Sequence, residues 1–344
     1  MKKLILYLFI ATLASCELQN EQSEPMVNEG ELLSADDQIV AFYNVENLFD
    51  LEDDRNTNDD DFTPYGDQHW TKERYDHKLQ NISKVLCNLG NQAPMLIGLV
   101  EVENNKVVED LAETGGLSKT PYKLVQYDSP DRRGIDCALL YDSRRMIVED
   151  QEKLTVSLPG NDDYLTRDIL HVTGKIAQGE TIHIFVNHWS SRREGTAETE
   201  HKRLRAATVL KERIAEIRKD NEDVKIIVMG DFNDEPSSKS IQQTLNAAGS
   251  KANLFNLMAE PARNDEGTIV YQREWLMFDQ MMVSQNLMQG KGLRVKNEKA
   301  HVYKDESILY TYQNGGQKPN STYGGPEYYG GYSDHLPVFL ILEQ

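Results

Sequence analysis

Short apolar segments recur along this chain, and several of them stop abruptly in a group of polar residues. The clearest is IIVMGDFNDEP (226–236), where four apolar residues are followed at once by Gly230, Asp231, Asn233 and Asp234. Apolar runs of this length, bounded by turn residues, are typical of strands buried on both faces. A chain with many such segments has to build a large sheet core. Acids clustered at the strand ends are unfavourable there unless something compensates their charge.

Strand patterns outnumber helix patterns in the sequence. Amphipathic periodicity predicts helices over 71–90, with Thr71 as N-cap and Gly90 as the stop, and over 196–219. A turn at Gln178-Gly179-Glu180 separates two apolar runs, so part of the sheet must be antiparallel. We therefore expect an α/β fold in which two packed sheets are covered by helices outside. The predicted strands are 39–45, 95–102, 136–142, 181–189, 226–230, 276–284 and 336–342.

The N-terminal 36 residues have a different character. Lys2 and Lys3 precede an apolar stretch over 4–13, and Leu13-Ala14-Ser15-Cys16 matches a bacterial lipobox. We expect residues 1–15 to be a lipoprotein signal peptide, Cys16 to be lipidated, and 16–36 to be a flexible tether. A secretory signal with a chance cysteine is the alternative. As a lipoprotein, the protein would lie in the cell envelope outside the cytoplasm, with its lipid as the only membrane contact. Residues 37–344 are expected to form a single, monomeric domain.

The charge balance restricts the possible partners. The chain has 37 basic and 56 acidic residues, a formal charge of −19, and loss of the signal peptide would remove two lysines and no acid. This disfavours general binding to nucleic acid, because phosphate contacts supply most non-specific affinity. Cys87 and Cys137 lie in a helix and a strand pattern, so we expect two buried free thiols rather than a disulfide.

Six predicted strands carry acid, amide or imidazole groups at one end. If these ends meet, they form a pocket of carboxylates that is tolerable only with a cation or with shifted protonation. Oxygen ligands favour Mg²⁺, with Mn²⁺ or Ca²⁺ as other options, and a hard metal beside imidazole suits hydrolysis at phosphorus. The residues are Asn44, Glu46, Asn47, Glu101, Glu103, Asn104, Asn187, His188, Asp231, Asn233, Asp279, Asp334 and His335.

Five motifs in this order resemble the endonuclease/exonuclease/phosphatase family of DNase I-like phosphoesterases. They are YNVEN (43–47), LVEVEN (99–104), VNHW (186–189), GDFN (230–233) and SDH (333–335). The resemblance covers nearly all of the chain after the tether. It implies a four-layer αββα sandwich, with two mixed or antiparallel sheets between helices, and magnesium-dependent phosphoester hydrolysis.

The resemblance also implies a role for each motif residue. Glu101 would be the principal metal ligand, Asp334 would complete the metal shell, and Asn44 and Glu46 would lie at the metal and phosphate edge. The sequence departs from the family pattern beside Glu101. Val100 stands where a glutamine is common in the family, and Glu103 stands where a basic or polar residue is common. That departure puts the nearby substrate group in doubt. The remaining implied roles are phosphate contact by Asn187 and His188, water activation by Asp231, phosphoryl-oxygen binding by Asn233, and an Asp279–His335 pair that keeps the imidazole charged.

Other segments are candidates for selecting the substrate. Arginine binds phosphate bidentately, so the pairs Arg132-Arg133 and Arg192-Arg193 are either substrate contacts or surface ion pairs. Trp189 could stack on a base or fill the rim. The glycine- and tyrosine-rich segment 321–332 is either a lid or packing. The acidic run 51–61 lacks the spacing of a calcium loop, which favours a solvated loop.

The sequence therefore predicts a phosphoesterase that acts on a nucleic acid, a nucleotide or a small phosphorylated molecule. Nuclease or nucleotide phosphodiesterase activity is the first interpretation. A phosphatase or a phospholipase C-type enzyme acting on a small molecule or lipid headgroup is the alternative. A non-catalytic binding module on the same fold is the third, although a retired site has no reason to keep so many polar groups.

Overall fold

The computed structural model of the protein describes residues 37–161, 163–176, 179–247 and 254–344. The predicted signal peptide, the lipidated Cys16 and the tether lie outside the described residues. The helices are α1 (Lys72–Cys87), α2 (Asn105–Ala112), α3 (Thr196–Asp220), α4 (Ala259–Arg263) and α5 (Gln285–Gln289). Short 3-10 turns occur at Asp60–Phe62, Leu117–Lys119 and Glu306–Ile308, and a π-helical turn at Ser240–Leu245.

The strands, in chain order, are β1 (Gln38–Leu48), β2 (Leu96–Val102), β3 (Tyr122–Gln126), β4 (Asp136–Asp142), β5 (Met146–Leu154), β6 (Ile169–Ile176), β7 (Thr181–His188), β8 (Lys225–Asp231), β9 (Leu254–Asn256), β10 (Ile269–Tyr271), β11 (Glu274–Leu276), β12 (Asp279–Ser284), β13 (Arg294–Val302), β14 (Leu309–Thr311), β15 (Gln317–Pro319), β16 (Tyr323–Gly324), β17 (Glu327–Tyr328) and β18 (Val338–Glu343). The strand predicted over 276–284 is thus shorter, because Leu276 ends the β10–β11 hairpin and the sheet strand begins at Asp279.

Two six-stranded sheets form the body of the protein. The first sheet has the order β13-β18-β1-β2-β4-β3 and the second has the order β5-β6-β7-β8-β12-β9. Only β1–β2 and β7–β8 pair in parallel among the described strands, and the predicted antiparallel pairing of β6 with β7 is confirmed. Three small hairpins, β10–β11, β14–β15 and β16–β17, project from this body.

Alternation along the strands divides the core into layers. In β1, Val40 and Phe42 face the second sheet, whereas Ile39 and Ala41 face α1 on the outside. The second sheet likewise turns Ile226 and its alternate neighbours towards α3. Side chains two residues apart lie on one face of a strand, so each central strand is buried twice and reads as a continuous apolar run. The result is the predicted αββα sandwich.

The topology brings the polar strand ends together. The carboxyl ends of β1, β2, β7 and β8 lie at one edge of the sandwich because each parallel pair runs in the same direction. β12 runs antiparallel to β8 with Asp279 opposite Asp231, and β18 runs antiparallel to β1. The residues at their amino ends, including His335, therefore lie at the same edge. This edge carries the candidate site.

Two further features concern the chain as a whole. Cys87 and Cys137 are free thiols, as predicted, but only Cys137 is buried; Cys87, near the end of α1, is half-buried. Within the described residues, none of the helices combines the length and the apolar character that crossing a bilayer requires.

Candidate active site

The backbone is irregular where the polar side chains leave the sheets. Glu46, Asn47, Glu101 and Asn233 all have positive φ angles, of 53°, 52°, 63° and 49°. The β1–β2 pairing shifts register before Leu48, and the β2–β4 pairing shifts on either side of Glu101. Such conformations cost roughly 1–3 kcal/mol each and persist only where the surroundings impose them. The bulges turn the Glu101 side chain out of the sheet towards His188, which lies 3.7 Å away.

Asp231 lies at the centre of the site. Its Oδ2 accepts a hydrogen bond from Asn44 Nδ2 at 3.1 Å and lies 3.6 Å from His188 Nε2 and 3.8 Å from His335 Nε2. Its Oδ1 accepts the backbone N–H of Asn233 at 2.9 Å. One carboxylate thus joins groups from both sheets, with an imidazole on either side.

Glu101 approaches the same group from the first sheet. Its Oε2 accepts the backbone N–H of Asn47 at 3.0 Å, while Oε1 lies 3.7 Å from His188 Nε2 and 3.9 Å from an Arg133 guanidinium nitrogen. Asp334, four residues before β18, is exposed. These two carboxylates remain available to an incoming cation.

His335 is held as a charged imidazolium. Its Nδ1 donates to Asp279 Oδ2 at 2.7 Å, and the backbone N–H of Asp279 donates to Thr268 Oγ1 at 3.1 Å. Burial alone would lower the pKa of His335, but the nearby carboxylates of Asp279 and Asp231, with that hydrogen bond, raise the pKa well above its ordinary value. His335 therefore presents a protonated Nε2 towards Asp231.

His188 has the opposite state. Burial lowers its pKa well below the ordinary value, and the positive charges of Arg167, Arg133 and His335 lower it further. A neutral imidazole can donate from one nitrogen only. The site therefore has one charged and one neutral imidazole about one carboxylate.

The donor set suits a hard divalent cation. Burial, together with neighbouring Asp279, raises the pKa of Asp231 to about 6, although His335 opposes the shift. Ligand atoms of Asp231, Asp279 and His335 lie within 4.8 Å of one another. However, Asp279 and His335 bond each other at 2.7 Å, so their shared Nδ1–H proton excludes metal ligation at that contact. Glu101 and Asp334 are the carboxylates that fit magnesium-type ligation.

Glu46 is placed differently from its predicted role. Its oxygens accept the backbone N–H groups of Thr322 and Tyr323 at 2.7 and 3.3 Å, and Oε2 lies 3.8 Å from the fully buried Lys78 ammonium. Lys78 also donates to Tyr332 O at 2.8 Å. Because both Glu46 oxygens are already engaged, the geometry assigns Glu46 to holding segment 321–332 against α1 rather than to metal ligation. Of the two interpretations of segment 321–332, a lid or packing, these contacts fit packing.

The side chains of Asn187 and Trp189 bond protein groups away from the cluster around Asp231. Asn187 donates to Met229 O at 3.2 Å and accepts the Trp189 indole N–H at 3.1 Å. Trp189 is only 2% exposed, which leaves no ring face for a base. Strand alternation explains the difference, since Val186 and His188 face inward between the sheets and the residue between them faces outward. The phosphate contact predicted for Asn187 and the stacking predicted for Trp189 do not fit these positions.

Arg192 bonds protein groups instead of facing open solvent. It donates to Asn233 O and to Asp234 Oδ1, both at 2.7 Å. The buried Arg203 guanidinium lies 2.8 Å from the same Asp234 oxygen, and Ser240 donates to the other at 2.5 Å. This arginine clamp fixes the turn that carries Asn233. Arg192 therefore fits a positioning role, not the substrate contact predicted for it.

The other predicted substrate groups remain at the surface. Arg133 is part-exposed beside Glu101, while Arg132 and Arg193 are exposed. The acidic run 51–61 lines a cleft of about 630 Å³ next to the Glu101 edge. Its acidic lining consists of Asp50, Glu52, Asp53, Asp54, Glu103, Asp128, Asp131 and Asp136.

Several residues that shape the site carry no motif. Lys78 lies on the apolar face of α1 between Tyr75 and Ile82, a position where a lysine is itself a signal. Arg167 donates to Asp131 Oδ2 and to Trp189 O, and Thr268 supports Asp279 from a hairpin. The sequence offers no comparable signal for these two, since their partners are distant in the chain.

The comparisons with known proteins agree with this architecture. Residues 39–344 match the sequence profile of the Endonuclease/Exonuclease/phosphatase family. Three similar solved structures, each 17% identical, are a protein of this family from Bacteroides thetaiotaomicron (TM-score 0.57; 89% of this chain and 97% of that chain covered), a mannosyl-6-phosphatase from the same organism (0.55; 89% and 100%), and the human Nocturnin catalytic domain with bound sulfate (0.57; 90% and 94%).

At these identities the structural likeness supports the fold alone. No curated protein sequence matches this chain. The profile match spans most of the sequence and includes every strand end that meets at the site. This chain belongs to the Endonuclease/Exonuclease/phosphatase family, whose members are hydrolytic phosphoesterases and typically depend on a divalent metal.

Proposed function

We propose that this protein is a magnesium-dependent phosphodiesterase that acts on nucleotides or on short single-stranded nucleic acid. The observation that carries the proposal is the placement of two imidazoles, His188 and His335, 3.6 and 3.8 Å from one oxygen of the Asp231 carboxylate, with Asp279 bonded behind His335. Such a pair can stabilise negative charge on phosphoryl oxygens while the carboxylate acts on water.

Each side chain has a distinct task in this reaction. Asp231, with a pKa of about 6, is ionised near neutral pH and orients or deprotonates the attacking water. His335 donates from Nε2 to the oxygen that gains negative charge, and Asp279 keeps its ring oriented and protonated. Asn44 holds the Asp231 carboxylate in place at 3.1 Å. Glu101 and Asp334 would bind Mg²⁺, with Mn²⁺ or Ca²⁺ as alternatives, and the ion would neutralise phosphoryl charge.

A hairpin beside His335 supports a substrate that carries a base. β10 begins at Ile269, which pairs with His335, and Thr268 O accepts the backbone N–H of Leu336 at 2.7 Å. The far end of the same strand places Tyr271, 59% exposed, at the hairpin tip. An exposed ring connected so directly to the catalytic imidazole is a platform on which a base can stack.

The same hairpin and its neighbours carry further aromatic rings with lysines over them. Lys304 Nζ lies 4.1 Å from the centre of the Trp275 ring, and Lys318 Nζ lies 5.7 and 5.9 Å from those of Tyr310 and Tyr329. Alternating rings and cations match the alternating bases and phosphates of a single strand. The acidic cleft on the Glu101 side repels a polyanion, which favours a short substrate over long duplex DNA.

The acidic cleft also favours one other candidate. A phosphatase or phospholipase C-type enzyme binds only a small phosphorylated molecule or lipid headgroup. Such a substrate would not have to lie along the acidic cleft on the Glu101 side, so the cleft would not repel it. A non-catalytic module is disfavoured because Asp231, His335 and Asp279 are buried together, with His335 hydrogen-bonded to Asp279 at 2.7 Å and 3.8 Å from Asp231.

A panel of phosphoesters separates these candidates. It contains dinucleotides, single-stranded and duplex DNA, RNA, bis-p-nitrophenyl phosphate, inositol phosphates and sphingomyelin, each with Mg²⁺ or with EDTA. We expect magnesium-dependent cleavage of diesters, with short single strands ahead of duplex DNA, and loss of activity in His335→Ala. The exposed His201→Ala is the matched control. Monoester-only activity would select the phosphatase, and no activity on any substrate would contradict catalysis.

We also propose that the enzyme is a lipoprotein of the cell envelope. The lipobox ending at Cys16 supports this, and one acyl chain alone gives only marginal binding, so stable anchoring would need the several chains of a lipoprotein. Cys16→Ser should release the protein from membranes into the soluble fraction. Unchanged partitioning into detergent would contradict the anchor.

A further inference from the structure

A second group of metal-type ligands lies on the outer face of the second sheet, on strands β5, β6 and β7. His171 Nε2 and His183 Nδ1 are 3.0 Å apart, and Thr173 Oγ1 lies 3.5 Å from the first and 3.1 Å from the second. Thr173 and His183 are directly opposite each other in the antiparallel ladder. Two imidazole nitrogens and one hydroxyl oxygen therefore lie within 3.5 Å of one another between two strands.

The spacing of these atoms is that of a zinc coordination shell. Ligands bound at roughly 2.0–2.1 Å in a tetrahedron lie roughly 3.3–3.4 Å from one another. The three observed separations lie on either side of this value without any rearrangement of the strands. An ion held by these atoms would keep a fourth position for water.

The surroundings orient the first imidazole towards that point. His171 Nδ1 bonds Glu152 Oε1 at 2.7 Å, and the same oxygen accepts from Arg213 Nε at 2.6 Å. Because an ionised carboxylate only accepts, the hydrogen of His171 is on Nδ1 and its lone pair is on Nε2. In the metal-free protein His183 Nδ1–H donates to that lone pair, so metal binding would require the His183 hydrogen to move to Nε2, which frees Nδ1 as a ligand. The ring is also fixed by stacking on Phe185, with centroids 4.2 Å apart and planes 6° apart. A carboxylate behind a histidine is the usual support of a metal-bound imidazole.

Access and chemistry are both suitable. His171 is buried, but His183 and Thr173 are half-buried, so an ion can reach the group from solvent. Two imidazole nitrogens prefer Zn²⁺, Cu²⁺ or Ni²⁺ to Mg²⁺, which takes oxygen ligands. This chemistry differs from that of the active site, where the carboxylates of Glu101 and Asp334 fit magnesium.

We propose that His171, His183 and Thr173 form a binding site for a transition-metal ion of the zinc class, separate from the active site and supported by Glu152. A bound ion would cross-link β6 to β7, and the hydrogen bonds of His171 and Arg213 to Glu152 would connect it to β5 and α3. The proposal is independent of the substrate and of the catalytic mechanism.

Zinc titration of the full protein in excess Mg²⁺, by competition with a chromophoric chelator, tests this. We expect His183→Gln to lose one zinc equivalent that the wild-type protein binds, and Glu152→Gln to weaken the same equivalent roughly 10- to 100-fold. His201→Gln, which removes an exposed imidazole, should bind zinc like the wild-type protein. The half-buried His183 is the position of choice because buried His171 could be required for folding.

Two results would overturn the proposal. One is a zinc isotherm of His183→Gln that superimposes on that of the wild-type protein, which would leave the two imidazoles as a hydrogen-bonded pair. The other is an X-ray absorption spectrum of the zinc-loaded protein without imidazole scattering. Loss of the zinc-induced rise in Tm in His183→Gln, with the rise kept in His201→Gln, is the expected outcome in a thermal scan.

Discussion

His188 and His335 are two buried imidazoles that face the same oxygen of Asp231, at 3.6 and 3.8 Å. Their protonation nevertheless differs, since the pKa of His335 is raised and that of His188 is lowered. Burial pushes both values down. The difference must therefore come from what lies behind each ring.

The groups behind the two rings carry opposite charge. His335 has the Asp279 carboxylate on its Nδ1 at 2.7 Å, whereas His188 Nδ1 has no hydrogen-bond partner among the described residues and faces the positive field of Arg167 and Arg133. Neighbours of the reacting groups thus set which imidazole is acid and which is neutral. The Asp231 carboxylate lies near both rings, so it cannot account for the difference in protonation between His335 and His188.

Removing the shared carboxylate should have the largest effect. Asp231→Asn eliminates the group that acts on water and the carboxylate that lies near both rings, so we expect kcat to fall about 10⁴-fold, the upper end for general acid–base groups. Asp223→Asn, an exposed substitution far from the site, is the control. A loss below tenfold in steady-state kinetics would remove Asp231 from the mechanism.

Removing the charged imidazole should come next. His335→Ala should lower kcat roughly 10²- to 10⁴-fold. Asp279→Asn should lower it less and move the alkaline limb of the pH profile to lower pH, because the pKa of His335 falls when its carboxylate partner is removed.

The double variant sharpens this prediction. Asp279 acts through His335, so the double mutant should be little slower than His335→Ala alone. Rate losses that multiply would show that the two residues act independently, and the pairing would have to be given up.

A smaller effect is expected from the arginine clamp. Arg192→Lys keeps the charge but loses the fork that joins Asn233 O to Asp234, so kcat should fall about tenfold with KM unchanged. Arg144→Lys, a surface ion pair at the other end of the sandwich, is the control. A raised KM with an unchanged kcat would instead restore Arg192 as a substrate contact.

Arg133 should show the smallest effect. It is part-exposed and lies 3.9 Å from Glu101, so Arg133→Gln should raise KM about fivefold, equivalent to about 1 kcal/mol for an exposed charge contact. Arg144→Gln is the matched control, and the effect should shrink at high salt. An unchanged KM at low salt would leave Arg133 with no role in substrate binding.

Much of this architecture follows from local sequence. The apolar runs predicted the strands because each central strand is buried on both faces, and the polar ends predicted the site because parallel strands bring their ends together. The same alternation could have predicted that His188 and Asn187 lie on opposite faces of β7. His188 is two residues after Val186 and four after Ile184, so it shares their inward-facing side, and Asn187 does not. That signal is in the sequence.

Other features depend on packing between distant segments. Glu46 turns to segment 321–332 because a backbone bulge re-aims it, and no motif encodes that turn. Arg192 is long enough to reach several partners, and its choice of Asp234 is fixed by the start of α3 and the buried Arg203. Residue type alone could not decide between these contacts and a bound phosphate.

The most direct test of the account is the protonation of the two imidazoles, followed by NMR of ¹³C- and ¹⁵N-labelled histidine rings as a function of pH. His335→Ala and the conservative His188→Gln assign the two signals. We predict that at neutral pH His335 gives the shifts of an imidazolium and His188 those of a neutral ring, and that Asp279→Asn moves the His335 titration to lower pH. A neutral His335 or a protonated His188 at neutral pH would contradict the central claim.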